Sequence, residues 1–318
     1  MTPLVSVCIP TYNGGSFIAT ALASVAAQDY PNIEVVVVDD ASHDDTVAHV
    51  KGWRERPVDL VVHRRNRGHN ATWNETIARA QGEYIKFLHQ DDELTPDCVS
   101  RMVASLQAYP SAGIVFSRRR LRIDGLDAPT ADEWVRKSRC LDSPFGPLGA
   151  VNQGSALFLR WFDAGLAGNW VAEPSAVMVR RKCLERVGLF ARHVAQLTDV
   201  ELWMRAMIQV DVAFIEDELA TFRVGASSLT MRNRATRFAW LDRLWMLEVF
   251  ARDESVVRWR PEVQDLLRAE RRQAFRSAAR LGRLRDGSRV PVRPYVAYAT
   301  YRARSRVDHR YEPFPQLV

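Results

Sequence analysis

Two apolar runs in this chain end on paired acids. Val35-Val36-Val37-Val38 leads into Asp39-Asp40, and Phe87-Leu88 leads through His89-Gln90 into Asp91-Asp92 about fifty residues later. Carboxylates held that close repel one another when ionised, so a cation or a hydrogen-bonding ligand is expected between them. Hard oxygen donors suit Mg2+ or Mn2+, which keep waters and grip substrate phosphates through one or two carboxylates. At Asp91-Asp92 such an ion can bridge a diphosphate and offset charge growing on a leaving group. His89 is not read as a zinc ligand, because no second His or Cys stands at ligand spacing. A carboxylate at Asp39 can accept hydrogen bonds from a uracil N–H or a ribose hydroxyl. Both pairs also admit a plainer account, as acidic turns that cap the next helix.

Three other groups stand beside them. In Ile9-Pro10-Thr11-Tyr12-Asn13-Gly14-Gly15 a proline closes an apolar run, and a tyrosine and a flexible glycine pair follow. This can lay an aromatic ring beside a planar base, or form an ordinary strand-to-helix turn. A dinucleotide site would need GxGxxG here, which the chain lacks. Asn66-Arg67-Gly68, with Asn74 downstream, reads as a turn. In Leu197-Thr198-Asp199-Val200-Glu201-Leu202-Trp203-Met204-Arg205, Asp199 opens an amphipathic helix with Leu202, Trp203 and Met204 facing inward. Thr198 as N-cap and Asp199 on the helix dipole would account for that without any chemistry.

The elements that carry these residues alternate over the first 120 positions. Strands are expected at Leu4 to Ile9, Ile33 to Val38, Leu60 to His63, Tyr84 to Leu88 and Gly113 to Ser117. Helices are expected from Ser16 to about Gln28, Asp44 to Trp53, Asn70 to Ala80, and from Thr95-Pro96 onward. That rhythm implies an α/β fold whose mostly parallel sheet is covered on both faces, and acids at strand ends then sit where such folds bind ligands. Residues 121–170 lose the rhythm and read as loops and short elements around a pocket. Helices return near Arg181 to Val187 and Asp199 to Ile208. Beyond Arg232 the pattern is helical, with an apolar stripe at Phe238, Leu241, Trp245 and Val249, then a stretch from Val263 to Leu281. The implied division is 1–120, 121–231, and 232–318 as a helical extension.

Composition bounds the rest. At 318 residues, 47% apolar and 26% charged, the chain can bury a large core. The net charge of +6 is mild, and lysine fills only four of the 44 basic positions, Lys51, Lys86, Lys137 and Lys182. Cys8, Cys98, Cys140 and Cys183 are scattered without CxxC spacing, which argues against a zinc site or a disulfide frame. With no signal peptide and no run of about 20 apolar residues, the expected location is the cytoplasm.

Taken in order, these motifs resemble the family 2 glycosyltransferases, inverting enzymes with the GT-A, nucleotide-diphospho-sugar transferase fold. The resemblance covers roughly residues 4–230 and rests on Ser6-Val7-Cys8-Ile9-Pro10-Thr11-Tyr12-Asn13, Val37-Val38-Asp39-Asp40-Ala41-Ser42, Asn66-Arg67-Gly68, Gly82-Glu83-Tyr84-Ile85, the His89-to-Asp92 tetrad and Thr198-Asp199. It implies that Pro10, Thr11, Tyr12 and Asp39 contact the base, with Asp40 beside them. It extends the donor site to Asn13, Asn66, Gly68, His89, Asp91, Asp92 and Arg223. Asp91 looks like the metal-binding acid of the family's DxD motif, with His89 in place of the first acid. Asp199 looks like the catalytic base, with Thr198 in place of the acid that usually precedes it. Pro174-Ser175 and Arg180-Arg181 resemble the stretch bordering the acceptor, and Phe222-Arg223 the loop that closes over the donor.

The implied reaction moves a sugar, with inversion, from a nucleotide-diphosphate donor, UDP-linked by expectation. The acceptor is a hydroxyl on a glycan, a lipid-linked sugar or a small molecule, and Mg2+ or Mn2+ is the cofactor. A sugar-1-phosphate nucleotidylyltransferase would need a basic Gly-rich loop, and Thr11-Tyr12-Asn13-Gly14-Gly15 has no basic residue. A nucleic-acid-binding protein fits poorly with acidic strand ends, so nucleic acid is not an expected partner. The tail helices pack on the catalytic domain, join a second subunit in a homodimer, or dock peripherally on the anionic inner face of a membrane.

Overall fold

The structure is a computed structural model that describes residues 2–138, 140–166, 168–192, 194–226, 228, 231 and 238–281. Four strands lie parallel in its first half: β1 (Val5–Thr11), β2 (Ile33–Asp39), β3 (Val58–Val62) and β4 (Tyr84–Phe87). Their apolar residues are buried on both faces, as strands between two helical layers must be. Val35 and Val37 pack with Ile18, Leu22 and Val25 of α1 (Ile18–Ala26), whereas Cys8 and Val36 face Trp73 and Ile77 of α3 (His69–Arg79). Between them α2 (Thr46–Gly52) links β2 to β3.

The chain runs from β1 out to β2 and β3, then returns to place β4 on the other side of β1. Such a reversal leaves a crevice at the strands' carboxyl ends. Here the crevice is widened by Pro10, which the structure keeps inside β1, paired with Val38. The β1–β4 register ends at Cys8 opposite Phe87, with Leu88 N donating to Cys8 O at 3.1 Å. Two residues on, the edge facing β4 carries a proline with no N–H, so the ladder cannot continue there.

The second half departs from a mostly parallel sheet. β5 (Glu93–Leu94) and β7 (Val151–Asn152) pair antiparallel with β9 (Asp211–Gly225), and β8 (Val177–Arg180) lies antiparallel between β4 and β6 (Ala112–Asp124). The span 121–170 holds the end of β6, then α5 (Ala128–Ser138) and α6 (Gly154–Asp163). β6 escapes an apolar-alternation reading because its outer half is arginine-rich. Arg118 and Arg120 pair with Glu216 and Glu218 of β9 instead of packing hydrophobically. The helix after β5, α4 (Cys98–Ala108), starts behind Asp97, and Thr95 N instead bonds Leu219 O at 3.0 Å.

After α7 (Arg181–Val187) comes α8 (Thr198–Met207), which is buried on almost every side and carries an internal Glu201–Arg205 pair whose guanidinium also donates to Leu189 O. Among the described residues three helices follow: α9 (Phe238–Phe250), α10 (Glu254–Trp259) and α11 (Val263–Leu281). Leu244, Trp245, Met246, Leu247 and Phe250 join the same core as Phe158 and Trp161 of α6. The side chains of Phe238 and Leu241, and everything beyond 281, lie outside the described residues. No helix among the described residues is long and apolar enough to cross a membrane.

One contact gives this packing a consequence for the site. Asp242 of α9 is buried and accepts from the backbone amides of Ala195 (2.9 Å), Gln196 (2.6 Å) and Leu197 (2.9 Å), just ahead of α8. Asp242→Ala strands those donors and is expected to lower unfolding free energy by about 2–4 kcal/mol. Urea denaturation checks this, and an unmoved midpoint would show that α9 does not anchor the loop.

Candidate active site

The turn after β1 and the turn after β2 are laced together. Asp39 is buried and accepts from Thr11 Oγ1 (2.8 Å), Ser42 N (2.8 Å) and Ser42 Oγ (2.5 Å). Asn13 N donates to Ser42 Oγ at 2.8 Å, and Asn13 Oδ1 accepts from His43 N at 2.9 Å. Tyr12 remains 39% exposed, a free aromatic face at the cleft. Its backbone is clasped by Gln90, which accepts from Tyr12 N (2.9 Å) and donates to Tyr12 O (3.1 Å). Gly14 leaves room for that clasp, since a Cβ there would lie 2.2 Å from Gln90 Oε1 and the Gln90 side chain would have to shift.

Asp40 performs a different job from its neighbour. Its Oδ1 accepts from Arg67 N and His63 Nδ1, both at 2.7 Å, and its Oδ2 from Gly68 N at 2.9 Å. Burial opposes ionisation, but these bonds outweigh it and hold the carboxyl below the usual carboxylate range. Asp40 thus staples the 66–68 turn, where Gly68 adopts φ +92°, to the end of β2, and leaves Asn66 exposed. Asn74 is not part of a turn but a buried splint that accepts from Phe190 N and donates to Phe190 O.

Around the second acidic pair the two carboxylates divide in the same way. Asp92 is buried and accepts from Ser175 Oγ (2.5 Å) and Arg223 N (2.9 Å). Burial first, and the charge of Asp91 second, push its carboxyl well above the usual range. Ser175 Oγ also accepts from His89 N at 2.9 Å, and buried Lys86 holds the Ser175 and Val177 carbonyls from below. Asp91 is the more open of the two, a quarter exposed and ion-paired with Arg223 Nη1 at 3.6 Å. Arg223 is fixed by Asp124 (2.6 Å) and by the Phe17 ring 3.8 Å away. His89 stacks on His69 at 5.8 Å and 3°, and burial lowers its pKa to about 4, so it stands neutral where an acid was expected.

Asp199 opens α8, accepts from Val200 N (2.9 Å) and Asn169 Nδ2 (2.8 Å), and lines a cavity of about 680 Å³. Its pKa is pushed up to about 7, by burial and then by the charge of Glu173. Glu173 lines the same cavity, bound by Arg119 through Nε (2.7 Å) and Nη2 (3.2 Å). Phe222 lines it too. Since Phe222 precedes Arg223, and Glu173 stands two residues before Ser175, the cavity adjoins the Asp91–Asp92 cluster. Sequence reading missed Glu173, one position ahead of the quoted Pro174-Ser175, and also Arg119, Trp134 and Trp170, which lie outside every quoted motif. Thr198 is not the cap of α8, as its hydroxyl goes to Val194 O and Asn70.

Arg180-Arg181 does not border this cleft. Because β8 runs antiparallel, Arg180 pairs with Tyr84 at the start of β4, the opposite edge of the sheet. There Arg180 donates to Ala112 O and Arg181 to Gly82 O, which are structural bonds. Pro174-Ser175, by contrast, lies at the cleft.

A twisted α/β sheet with paired acids at the β1/β4 reversal and a carboxylate-bearing cavity beside them defines the GT-A class of glycosyltransferases. The family model for glycosyl transferase family 2 matches residues 6–163. The chain is 36% identical over 242 residues to an uncharacterised protein of Mycobacterium tuberculosis, MT1568, covering 76% of this chain and 73% of that one. It is 35% identical over 130 residues to the succinoglycan biosynthesis protein ExoO of Rhizobium meliloti, covering 41% of this chain and only 35% of ExoO. Among solved structures, S. aureus TarS with UDP-GlcNAc superposes with TM-score 0.62 at 19% identity, over 79% of this chain and 67% of that one. A Pyrobaculum calidifontis mannosyltransferase with GDP-Man and Mn2+ superposes with TM-score 0.58 at 20% identity, over 95% and 81%. The chain belongs to glycosyl transferase family 2 and is a glycosyltransferase.

The division of labour between the two acids is testable. Asp92→Ala orphans Ser175 Oγ and Arg223 N and is expected to cost about 1–3 kcal/mol of stability, whereas Asp91→Ala is expected to leave the melting temperature within about a degree of wild type. Equal losses in a thermal scan would contradict the assignment.

Proposed function

We propose that the enzyme transfers a sugar, with inversion, from a nucleotide-diphosphate sugar to an acceptor hydroxyl. The observation that carries this reading is Asp199: a carboxylate with a pKa raised to about 7, lining a cavity that adjoins Asp91. Near neutral pH it is poised between its two forms, which suits a general base. In the step assigned to it, Asp199 takes the hydroxyl proton while the acceptor oxygen forms a bond to the anomeric carbon. The bond from that carbon to the phosphate oxygen breaks, and its electron pair leaves with the nucleoside diphosphate.

Asn169 orients the base by donating to Asp199 Oδ2. On the donor side, Tyr12 offers an exposed ring to the base, and Thr11, Asn13 and Asp39 form the rigid wall behind it. No group of three or more His, Cys, Asp or Glu ligands converges among the described residues. The donor set still suits Mg2+ or Mn2+, because Asp91 presents an open carboxylate and these ions complete their shells with phosphate oxygens and water. Bound there, the ion would neutralise charge on the departing diphosphate. The GDP-Man and Mn2+ complex of the mannosyltransferase relative in fold supports that choice. Similarity to a succinoglycan biosynthesis protein supports an acceptor in surface-glycan assembly.

Asp199→Asn is expected to reduce transfer about 10²–10⁴-fold while nucleotide binding stays intact. Because the deprotonated carboxylate is the active form, kcat should rise with pH through about 7 and fall on acidification. Release of nucleoside diphosphate from a panel of UDP- and GDP-sugars with Mn2+ measures both. Full turnover in Asp199→Asn, or a flat profile from pH 5 to 8, would remove Asp199 from this role.

A further inference from the structure

The cavity beside Asp199 has walls as distinctive as its base. Trp170 lines it, and its ring is fixed from behind, stacked on Trp161 at 5.7 Å and 12° and meeting Phe145 edge-on at 5.1 Å and 82°. Trp134 of α5 lines it too and leans on Phe222 at 6.5 Å and 52°. Its polar lining includes the carboxylates of Glu173 and Asp199, the amides of Asn169 and Gln196 and the hydroxyl of Ser143. α5 adds Glu133 and Arg136, which have opposite signs. Arg119, buried behind this wall, is engaged with Glu173 by a two-pronged pair and packs over Phe222 at 5.7 Å.

A pyranose has the complementary surface. One face of the ring is a patch of C–H groups that packs on an indole, and its rim is hydroxyls that donate to carboxylates and amide oxygens. A phosphate or uronate would instead meet the charge of Glu173 with its counter-cation already engaged, and like charges in a cavity raise the cost of binding. Resting on the glycosyl-transfer reading, we propose that the acceptor is a neutral sugar whose ring packs on Trp170 and Trp134. Glu173, held by Arg119, takes its hydroxyls and rejects anionic acceptors. Glu173 and the two tryptophans are therefore specificity residues, and Asp199 takes the proton from the hydroxyl they present.

The test uses the full chain and reads binding without turnover. Methyl glycosides of glucose, galactose, mannose and N-acetylglucosamine are titrated by saturation-transfer NMR, beside methyl glucuronide and glucose 1-phosphate. Neutral glycosides should bind, and the two anions at least about tenfold more weakly. Trp170→Ala and Trp134→Ala should each weaken glycoside binding by up to about tenfold, Trp170→Phe should keep most of it, and UDP and GDP titrations should be unchanged. Glu173→Gln should shrink the preference for glucoside over glucuronide. Binding of the anions as tight as the neutral sugars, no glycoside binding at all, or indifference to both tryptophan truncations overturns the proposal. Failure of UDP and GDP to bind, a separate readout, would sink the transfer reading instead.

Discussion

A buried carboxylate, Asp92, holds the cleft in shape. Among the described residues no cation bonds it directly, although Lys86 and Arg119 lie within electrostatic reach. Instead it accepts the hydroxyl of Ser175 and the amide of Arg223, two segments brought in from β8's approach and from β9. Desolvation raises its pKa, so the group spends more of its time neutral than an exposed acid would. The raised pKa is the expected response of two acids, Asp91 and Asp92, held side by side away from water. Were Asp92 to rearrange, Ser175 would lose its partner, His89 its anchoring amide contact, and Arg223 its place near Asp91.

The cleft therefore concentrates acids and sorts them by bonding. Asp39 and Asp40 stand side by side, yet one is wrapped by the β1 and β2 turns and the other staples the 66–68 turn. Asp91 and Asp92 divide into an open and a buried member. Glu173 is held by two hydrogen bonds from Arg119, while Asp199, bonded by Val200 N and Asn169 Nδ2, is pushed up to about 7 by burial and by the charge of Glu173. Environment, not residue type, separates the partly exposed Asp91, the stapling Asp40 and the pKa-raised Asp199.

The helices after β9 are part of this arrangement. α9 shares the core with α6 and caps the loop before α8 through Asp242, so the position of Asp199 depends on residues more than forty places downstream. Their helical period was legible in the sequence, but their docking was not, since nothing in an amphipathic stripe names the surface that covers it. The same limit hid α5, α6 and the long β6–β9 ladder. Arg118, Arg120 and Arg122 make a polar run that becomes a strand only once the acids of β9 lie alongside.

The sequence by itself determined the parallel half of the sheet, the crevice at its reversal and the strand-end positions of Asp39 and Asp91, whereas Asp199 stood out only through the family resemblance. Those features arise locally, from β-branched runs, helix periodicity and turn residues within a few positions of one another. Tertiary structure alone decided that Arg180-Arg181 lies on the far edge, that Asp40 staples a loop, and that Glu173, Arg119, Trp134 and Trp170 meet around Asp199. Each depends on antiparallel pairing or helix docking between segments far apart in the chain, and contacts of that range leave no periodic mark on either partner.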